Sequence, residues 1–239
     1  GGERLTICLL KDISDQKRLG VMSRMFFHDV INTAGGIRGF TELMRSSFPE
    51  GSPEERELAE LEELAEQLLE EIESQRDLTY AESGDLEPDW QELSTESFLF
   101  RMKTLYSRHP VAKGKNLAVL DPFSATITTD PRLLGRVLGN MIKNALEASE
   151  PGGTVTIRCN DLETHVAFRV HNASVMPEKV QMQVFQRSFS TKGEAGRGIG
   201  THSMKLLGEG YLKGEVSFTS REPDGTTFSL VIPKQPATQ

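Results

Sequence analysis

A glycine-rich segment in the last third of the chain has the residue types that bind a polyphosphate. Gly196, Gly198 and Gly200 alternate in the sequence GRGIGT, directly before a predicted helix. Glycines let backbone N–H groups come close to an anion, and the start of a helix adds a favourable dipole. Lys192 and Arg197 place two cations in the same segment. The segment therefore predicts a phosphate-binding loop, although a glycine-rich loop alone occurs in many contexts.

Two asparagines precede this loop at the spacing of one helical turn. Asn140 and Asn144 lie on a predicted helix over residues 131–149, away from its apolar positions. Asparagine is mildly unfavourable in mid-helix, and its carbonyl is a hard oxygen ligand that suits Mg²⁺. Two exposed polar residues are the alternative. The glycine loop, together with a Gly225-Thr226 pair that opens a later strand, favours the ligand interpretation.

His28 lies on a predicted helix over residues 15–48, opposite to its mostly apolar stripe. At about 100° per residue, the stripe on the far side consists of Leu19, Met22, Phe26, Val30, Thr33, Ile37, Phe40 and Met44. Asn32, Gly35 and Gly39 share the side of His28, and each mid-helix glycine costs roughly 1 kcal/mol relative to alanine. Close approach of another protein surface would offset this cost. An ordinary surface histidine beside a kink is the alternative.

Two long helices must position His28. A second amphipathic pattern over residues 53–80 follows a short loop, with Ser52 and Glu55 in a capping-box pattern and Pro53 at the first helical turn. The two helices predict an antiparallel hairpin. Each has only one apolar stripe, so we expect homodimerisation into a four-helix bundle.

The remainder of the chain alternates strand-like and helical stretches. The predicted strands are 116–120, 154–159, 165–170, 215–220 and 226–232, and the predicted helices are 94–107, 131–149 and 200–213. This mixture predicts an α/β sandwich with helices on one face of a mixed sheet. The fold class is therefore α+β, with a hairpin over 15–84 and a sandwich over 85–239. A short predicted strand at 3–10 assigns residues 1–14 to the end of an upstream sensor domain and its linker.

Composition and charge exclude several function classes. The 239 residues carry a net charge of −8 and no basic run, which argues against a nucleic acid partner. The two cysteines lie far apart and form neither a disulfide framework nor a metal-ligand spacing. No apolar stretch reaches the roughly 20 residues that cross a bilayer, so no membrane contact by this fragment is expected. A cytoplasmic location fits best and leaves a membrane-anchored parent open.

Taken together, the motifs resemble those of the sensor histidine kinases of two-component systems over nearly all of the chain after residue 15. FFHDVIN resembles the H box, NMIKNALEAS the N box, VFQRSFSTKG the F box, GRGIGT the second glycine box and DGTTFSLVIP the closing Gly-Thr strand. The resemblance implies a dimerisation and phosphotransfer hairpin followed by an ATP-binding domain of the Bergerat type. It also implies ATP and Mg²⁺ as cofactors, and a response regulator receiver domain as the partner that accepts the phosphoryl group on an aspartate.

The resemblance implies roles for individual residues. His28 would be the phosphoacceptor, Asp29 the acidic neighbour that activates the imidazole, and Asn32 the residue that places water in a phosphatase reaction. Asn140 and Asn144 would hold Mg²⁺, Lys192 and the glycine loop would contact phosphates, and Thr226 would lie near the adenine. The implied nucleotide-binding positions are Asn140, Lys143, Asn144, Asn172, Lys192, Gly196, Arg197, Gly198, Ile199, Gly200, Thr201 and Thr226.

One motif departs from the family pattern. The first glycine box normally reads Asp-x-Gly-x-Gly-Ile-Pro, whereas the corresponding HNASVMP is one residue shorter, lacks both glycines and has Asn172 in place of the aspartate. The carbonyl of Asn172 can still accept a hydrogen bond from the adenine amino group, but without charge assistance the bond has about half the strength. The departure leaves a pseudokinase with a degenerate glycine box as an alternative.

Two other functions are compatible with the same nucleotide-binding fold. One is an ATPase without phosphohistidine, in which Glu147 would activate water, and the other is a serine kinase. Both leave the outward His28 on its hairpin unexplained. The acid lability of a phosphoryl bond would separate them from a histidine kinase.

Overall fold

The computed structural model describes residues 14–186 and 199–236. It divides into two compact units, the first ending at Ser83 and the second beginning at Gly84. The predicted strand at 3–10 lies outside the described residues, as do Lys192, Gly196, Arg197 and Gly198. Within the described part of the chain, no helix combines the length and apolar character needed to cross a membrane.

The first unit is a hairpin of two long helices, α1 (Ser14–Arg45) and α2 (Pro53–Ser83). α1 ends three residues earlier than the sequence predicts, and α2 runs on to Ser83. The hydroxyl of Ser52 accepts a hydrogen bond from the Glu55 N–H at 3.1 Å, as in a capping box. The Glu55 carboxylate reaches the N–H of Gly51 instead of that of Ser52, so the box is shifted by one residue.

The seam between α1 and α2 is narrow and uses few large side chains. Its buried residues are Ala34 and Thr41 on α1 and Ala65, Asp77, Leu78 and Ala81 on α2. Most of the predicted apolar stripe lies outside this seam. The exposed apolar residues are Met22, Met25, Phe26, Ile37, Phe40, Leu43 and Met44 on α1 and Leu61, Leu64 and Leu68 on α2. The hairpin therefore leaves its main hydrophobic surface in solvent.

The second unit is built on a five-stranded mixed sheet. Its strands are β2 (Asn116–Val119), β4 (Thr154–Leu162), β5 (His165–Asn172), β6 (Glu215–Arg221) and β7 (Gly225–Pro233). They lie in the order β2-β4-β5-β7-β6, with β2 parallel to β4 and the other neighbours antiparallel. The predicted mixed sheet is confirmed. A separate antiparallel pair, β1 (Gln91–Ser94) and β3 (Thr126–Thr129), was not predicted, because each strand is four residues long and largely polar.

Helices cover the sheet and connect its strands. They are α3 (Thr95–Ser107), α4 (Pro131–Ala148), α5 (Glu178–Gln181) and α6 (Ile199–Lys205), with a 3-10 turn at Pro110–Ala112. α6 continues into a π-helical segment, Leu206–Tyr211, where the sequence predicts one continuous α-helix. Gly208 in that segment packs so closely against Val216 that a Cβ atom has no room. The helix α5 was also missed, because a single turn has no periodicity to detect.

The core forms where one face of β5 and β7 meets α4. The residue pairs Val166–Ile232, Phe168–Leu230 and Val170–Phe228 are neighbours in register and are all buried. α4 packs against β4 and β5 with a buried stripe that includes Leu134, Leu138, Met141 and Ile142. The next pair along the same face, Asn172–Thr226, is polar and equally buried. The apolar face therefore ends in two buried hydrogen-bonding side chains.

Candidate phosphotransfer and nucleotide sites

His28 and Asp29 form an exposed ion-pair geometry on α1. The Nδ1 atom of His28 lies 3.1 Å from the Oδ1 atom of Asp29, and the two side chains are 72% and 76% exposed. When the imidazole is neutral, this contact places its proton on Nδ1, because Asp29 can only accept. The lone pair of Nε2 is then left to accept a hydrogen bond or to react. The arrangement creates a solvent-facing nitrogen nucleophile with a defined tautomer.

Asn32 is the third side chain of this cluster. Its Nδ2 atom lies 3.2 Å from Nε2 of His28 and 3.3 Å from Nδ1. One helical turn thus brings together the three residues that the H-box resemblance singles out. The amide of Asn32 stands beside the ring nitrogen that Asp29 leaves unprotonated.

The three glycines that follow His28 have open surroundings. A Cβ atom at Gly35, Gly36 or Gly39 would meet no atom within 4 Å. Packing inside the hairpin therefore does not demand glycine at these positions. Their conformational cost is offset only if the small surface itself is useful, as close approach of another surface requires.

Asn140 is anchored between α4 and α6. The helix α4 begins at the buried Asp130, whose Oδ1 atom accepts hydrogen bonds from the N–H groups of Arg132 and Leu133. From this helix, Nδ2 of Asn140 donates to Ser203 Oγ at 3.0 Å and to the Gly200 carbonyl at 3.4 Å. The amide nitrogen is therefore occupied, and Oδ1 is the atom left to bind a cation.

Other predicted positions lie near this anchor. Asn144 is half-buried one turn further along α4, and Gly200 and Thr201 are half-buried in the first turn of α6. Ile199 begins α6. The Nζ atom of Lys143 lies 5.8 Å from the ring centroid of Tyr106, a cation–π distance. Sequence reasoning missed Ser203, whose position three residues after Gly200 on a helix was the available signal.

The donor set fits a magnesium ion without carboxylates. Within the described residues, no group of three or more His, Cys, Asp or Glu side chains could hold a metal. Amide oxygens from Asn140 and Asn144 are hard ligands, and Mg²⁺ completes its shell with water and substrate phosphates. The anchored amide of Asn140 satisfies the geometric requirement that its oxygen be free.

Asn172 and Thr226 end the buried face of β5 and β7. They are 2% and 4% exposed, and Nδ2 of Asn172 has no hydrogen-bond partner among the described residues. A buried donor without a partner costs roughly 1–3 kcal/mol. Gly225, with a φ of +77°, lies so close to the Asn172 carbonyl that no side chain fits. The backbone of Gly225 is therefore packed tightly against the backbone of Asn172 at this end of the sheet.

A chain of hydrogen bonds between side-chain hydroxyl groups holds residues 174–176, which lie in the segment that corresponds to the first glycine box. Thr226 Oγ1 donates to the Ser174 carbonyl at 2.7 Å and accepts from Ser220 Oγ at 2.7 Å. Ser220 in turn accepts from the Met176 N–H at 2.7 Å. Gln181 adds a bond from Nε2 to the Met176 carbonyl at 2.8 Å. The hydrogen of the Thr226 hydroxyl is thus used within the fold, and these bonds help to hold residues 174–176.

Among the described residues the one cysteine, Cys159, is buried. Burial in the sheet raises the pKa of the Cys159 thiol to about 11. The thiol is therefore protonated and unreactive at neutral pH.

A family model described as "Histidine kinase-, DNA gyrase B-, and HSP90-like ATPase" matches residues 129–236. Curated relatives include Sensor protein SrrB of Staphylococcus aureus strains MRSA252 and N315, each 23% identical over 98% of this chain and 42% of the relative. The chain thus spans less than half of the length of these relatives.

Solved histidine kinase structures share the fold. The catalytic domain of the histidine kinase ThkA has a TM-score of 0.56 at 25% identity and covers 62% of this chain and 97% of that one. Full-length ShkA in complex with AMPPNP has a TM-score of 0.66 at 20% identity and covers 89% of this chain and 45% of that one. The Acinetobacter baumannii histidine kinase AdeS has a TM-score of 0.57 at 15% identity, covering 87% and 98%.

A helical hairpin followed by a mixed α/β ATPase domain defines the class of protein, and the fold predicted from the sequence is confirmed. These similarities support a sensor histidine kinase with an ATP-binding catalytic domain, as the motifs predict. An ATPase domain of this kind implies ATP binding. The comparisons do not favour the three alternatives, which are an ATPase without phosphohistidine, a serine kinase and a pseudokinase.

Proposed function

We propose that this chain phosphorylates its own His28 from ATP and passes the phosphoryl group to an aspartate of a response regulator receiver domain. The observation that carries the proposal is the exposed His28–Asp29 pair, with its 3.1 Å contact, in a chain that also has an ATPase domain. Asn32 beside the ring supports an additional phosphatase role, in which it would orient water against the phosphorylated receiver.

His28 and Asp29 supply the nucleophile. Asp29 holds the proton on Nδ1, and the Nε2 lone pair attacks the γ-phosphorus in line. A bond forms between Nε2 and phosphorus while the bond from phosphorus to the β,γ-bridging oxygen breaks, and ADP leaves. The carboxylate of Asp29 stabilises the positive charge that develops on the ring. Positioning of the reacting atoms provides much of the rate.

Residues of the second unit bind and orient the nucleotide in this proposal. Asn140 and Asn144 present amide oxygens to Mg²⁺, which would neutralise charge on the phosphates. Lys192 and the loop from Gly196 to Gly200 contact the phosphates, and Asn172 binds the base. The remaining proposed nucleotide-binding positions are Lys143, Arg197, Ile199, Thr201 and Thr226.

The exposed apolar stripe of the hairpin supports a homodimer. The stripe on α1 includes Phe26, Ile37 and Phe40, and α2 adds Leu61 and Leu64, all of them at least half exposed. A second copy of the hairpin offers the same surface, and pairing the two yields a four-helix bundle. In this proposal residues 15–84 form the dimerisation unit, residues 85–239 the catalytic unit and residues 1–14 the end of a preceding domain, with the whole fragment in the cytoplasm.

The test is incubation with γ-labelled ATP and Mg²⁺, followed by acid and base treatment. We expect label that acid removes and base preserves, which identifies phosphohistidine. His28→Gln should abolish the label and still bind ATP, whereas the control His165→Gln, on β5, should retain it. Acid-stable label, substantial label on the His28→Gln protein, or ATP turnover by a folded protein that takes up no label would overturn the proposal.

A further inference from the structure

The amide of Asn172 is a buried hydrogen-bonding group that the folded chain leaves incomplete. The residue is 2% exposed, and in the part of the chain that the structure describes its Nδ2 atom has no hydrogen-bond partner. Its neighbour in register, Thr226, has its hydroxyl committed to Ser174 and Ser220. Asn172 therefore keeps a donor that no described residue uses.

An amide recognises a base differently from a carboxylate. Asparagine carries a donor and an acceptor side by side, whereas an ionised carboxylate only accepts. The six-membered ring of adenine presents a donor at N6 next to an acceptor at N1. Guanine and hypoxanthine present an acceptor at O6 next to a donor at N1. An amide can pair at two points with either edge when it turns by 180°.

We propose that Asn172 makes a two-point contact with the purine ring, and that the nucleotide site accepts 6-oxo purine triphosphates such as GTP as well as ATP. The inference rests on the proposed function, which places the base at Asn172. The unpartnered Nδ2 atom supplies the donor, to adenine N1 or to guanine O6. Oδ1 accepts from adenine N6 or from guanine N1.

The backbone around Asn172 is fixed independently of its side chain. Gly225 contacts the Asn172 carbonyl, and the hydroxyl chain of Ser220 and Thr226 holds Ser174 and Met176. Asn172→Asp is nearly isosteric and alters none of these contacts. The variant therefore changes the hydrogen-bonding pattern that a base meets while the frame stays in place.

The experiment measures dissociation constants of Mg·ATP and Mg·GTP for the whole chain by calorimetry. For the wild-type protein we expect the two values within about tenfold of each other, since both bases pair at two points. Asn172→Asp should weaken GTP by at least about tenfold relative to ATP, because a carboxylate has no donor for O6. Asn172→Ala, which keeps the frame and offers neither atom, should weaken both nucleotides to a similar extent.

A second measurement uses the wild-type protein alone. The analogue 1-deaza-ATP has a C–H in place of N1, so it cannot accept from Nδ2, and we expect it to bind about tenfold more weakly than ATP. Equal binding of ATP and 1-deaza-ATP, or rejection of GTP by more than about 100-fold, would overturn the inference while leaving the proposed function standing. If the folded wild-type protein binds neither ATP nor GTP, the proposed function itself fails.

Discussion

The Nδ1 atom of His28 lies 3.1 Å from a carboxylate oxygen of Asp29, its immediate neighbour on α1. Both side chains face solvent, so the contact is a local property of this helical turn. In the proposed reaction this contact leaves Nε2 as the nucleophile and gives the ring a base at the other nitrogen.

Replacement of Asp29 should slow autophosphorylation in two steps. Asp29→Asn keeps an acceptor for the Nδ1 proton but loses the charge, and Asp29→Ala loses both. We expect rates in the order wild type, Asn, Ala, with a loss of about 10²–10⁴-fold for Asp29→Ala. Initial rates of phosphohistidine formation at saturating Mg·ATP measure the effect.

Asn32→Ala is the matched control on the same turn. It removes the amide beside Nε2 and leaves the Asp29 contact intact. Because an exposed hydrogen bond contributes little, its rate should stay within about threefold of the wild type. A wild-type rate for Asp29→Ala would contradict the assigned role of the carboxylate.

We expect Asn140 to bind Mg²⁺ and also to stabilise the fold, whereas Ser203 should only stabilise the fold. Each of Asn140→Ala and Ser203→Ala removes the 3.0 Å bond between them and should lower the free energy of unfolding by about 1 kcal/mol. Asn140→Ala alone also removes an oxygen ligand, so it should weaken Mg²⁺-dependent ATP binding by at least about tenfold. Titrations with Mg²⁺ and with EDTA separate the two effects. Equal losses of affinity in both variants would argue against coordination by Asn140.

The exposed stripe predicts that a charge will separate the dimer. Phe40 is 64% exposed, and burial of a phenylalanine contributes about 1.5–3 kcal/mol, counted twice in a symmetric dimer. Phe40→Glu should therefore raise the dimer dissociation constant at least about 100-fold, as sedimentation velocity would measure. Arg38→Glu, about 200° away around α1, places a glutamate on another face with a larger change in net charge, and it should leave the dimer intact. Dissociation by both variants would point to a general charge effect.

The ion pair between Lys234 and Asp161 predicts a pH-dependent stability. Lys234 Nζ lies 2.6 Å from Asp161 Oδ1, and this contact lowers the pKa of Asp161 below its ordinary value of 3.8. The pair therefore stabilises the native state above pH 3.8, and its contribution disappears as the pH falls through the lowered pKa. Lys234→Met retains the apolar stem but not the charge.

Urea unfolding at a series of pH values tests this ion pair. The midpoint of Lys234→Met should lie below that of the wild type at neutral pH, and the part of the difference that comes from the ion pair should be lost as the pH falls through the lowered pKa of Asp161. Asp161→Asn serves as the control, because it removes the same pair from the other side. A difference between wild type and Lys234→Met that stays constant down to low pH would rule out the electrostatic origin.

Long, periodic elements could be predicted from the sequence, and contacts between distant segments could not. The pattern of α4 gave both its limits and the side of the helix that carries Asn140 and Asn144. The strands β1 and β3 were missed because pairing, and not their four-residue sequences, defines them. The hydroxyl chain through Ser174, Ser220 and Thr226 depends on the register of β6 with β7 and on a turn 52 residues away. The periodicity of α1 located its apolar stripe but could not show that α2 packs against a different face.

The open glycines that follow His28 also determine how α1 responds to force. Gly35, Gly36 and Gly39 contribute no Cβ atoms to brace adjacent turns, and a Cβ atom built at any of them would meet no atom within 4 Å. Bending or unwinding α1 therefore costs less here than elsewhere along the rod. A torque applied at one end of the helix will therefore concentrate its strain in this glycine segment, which begins seven residues after His28.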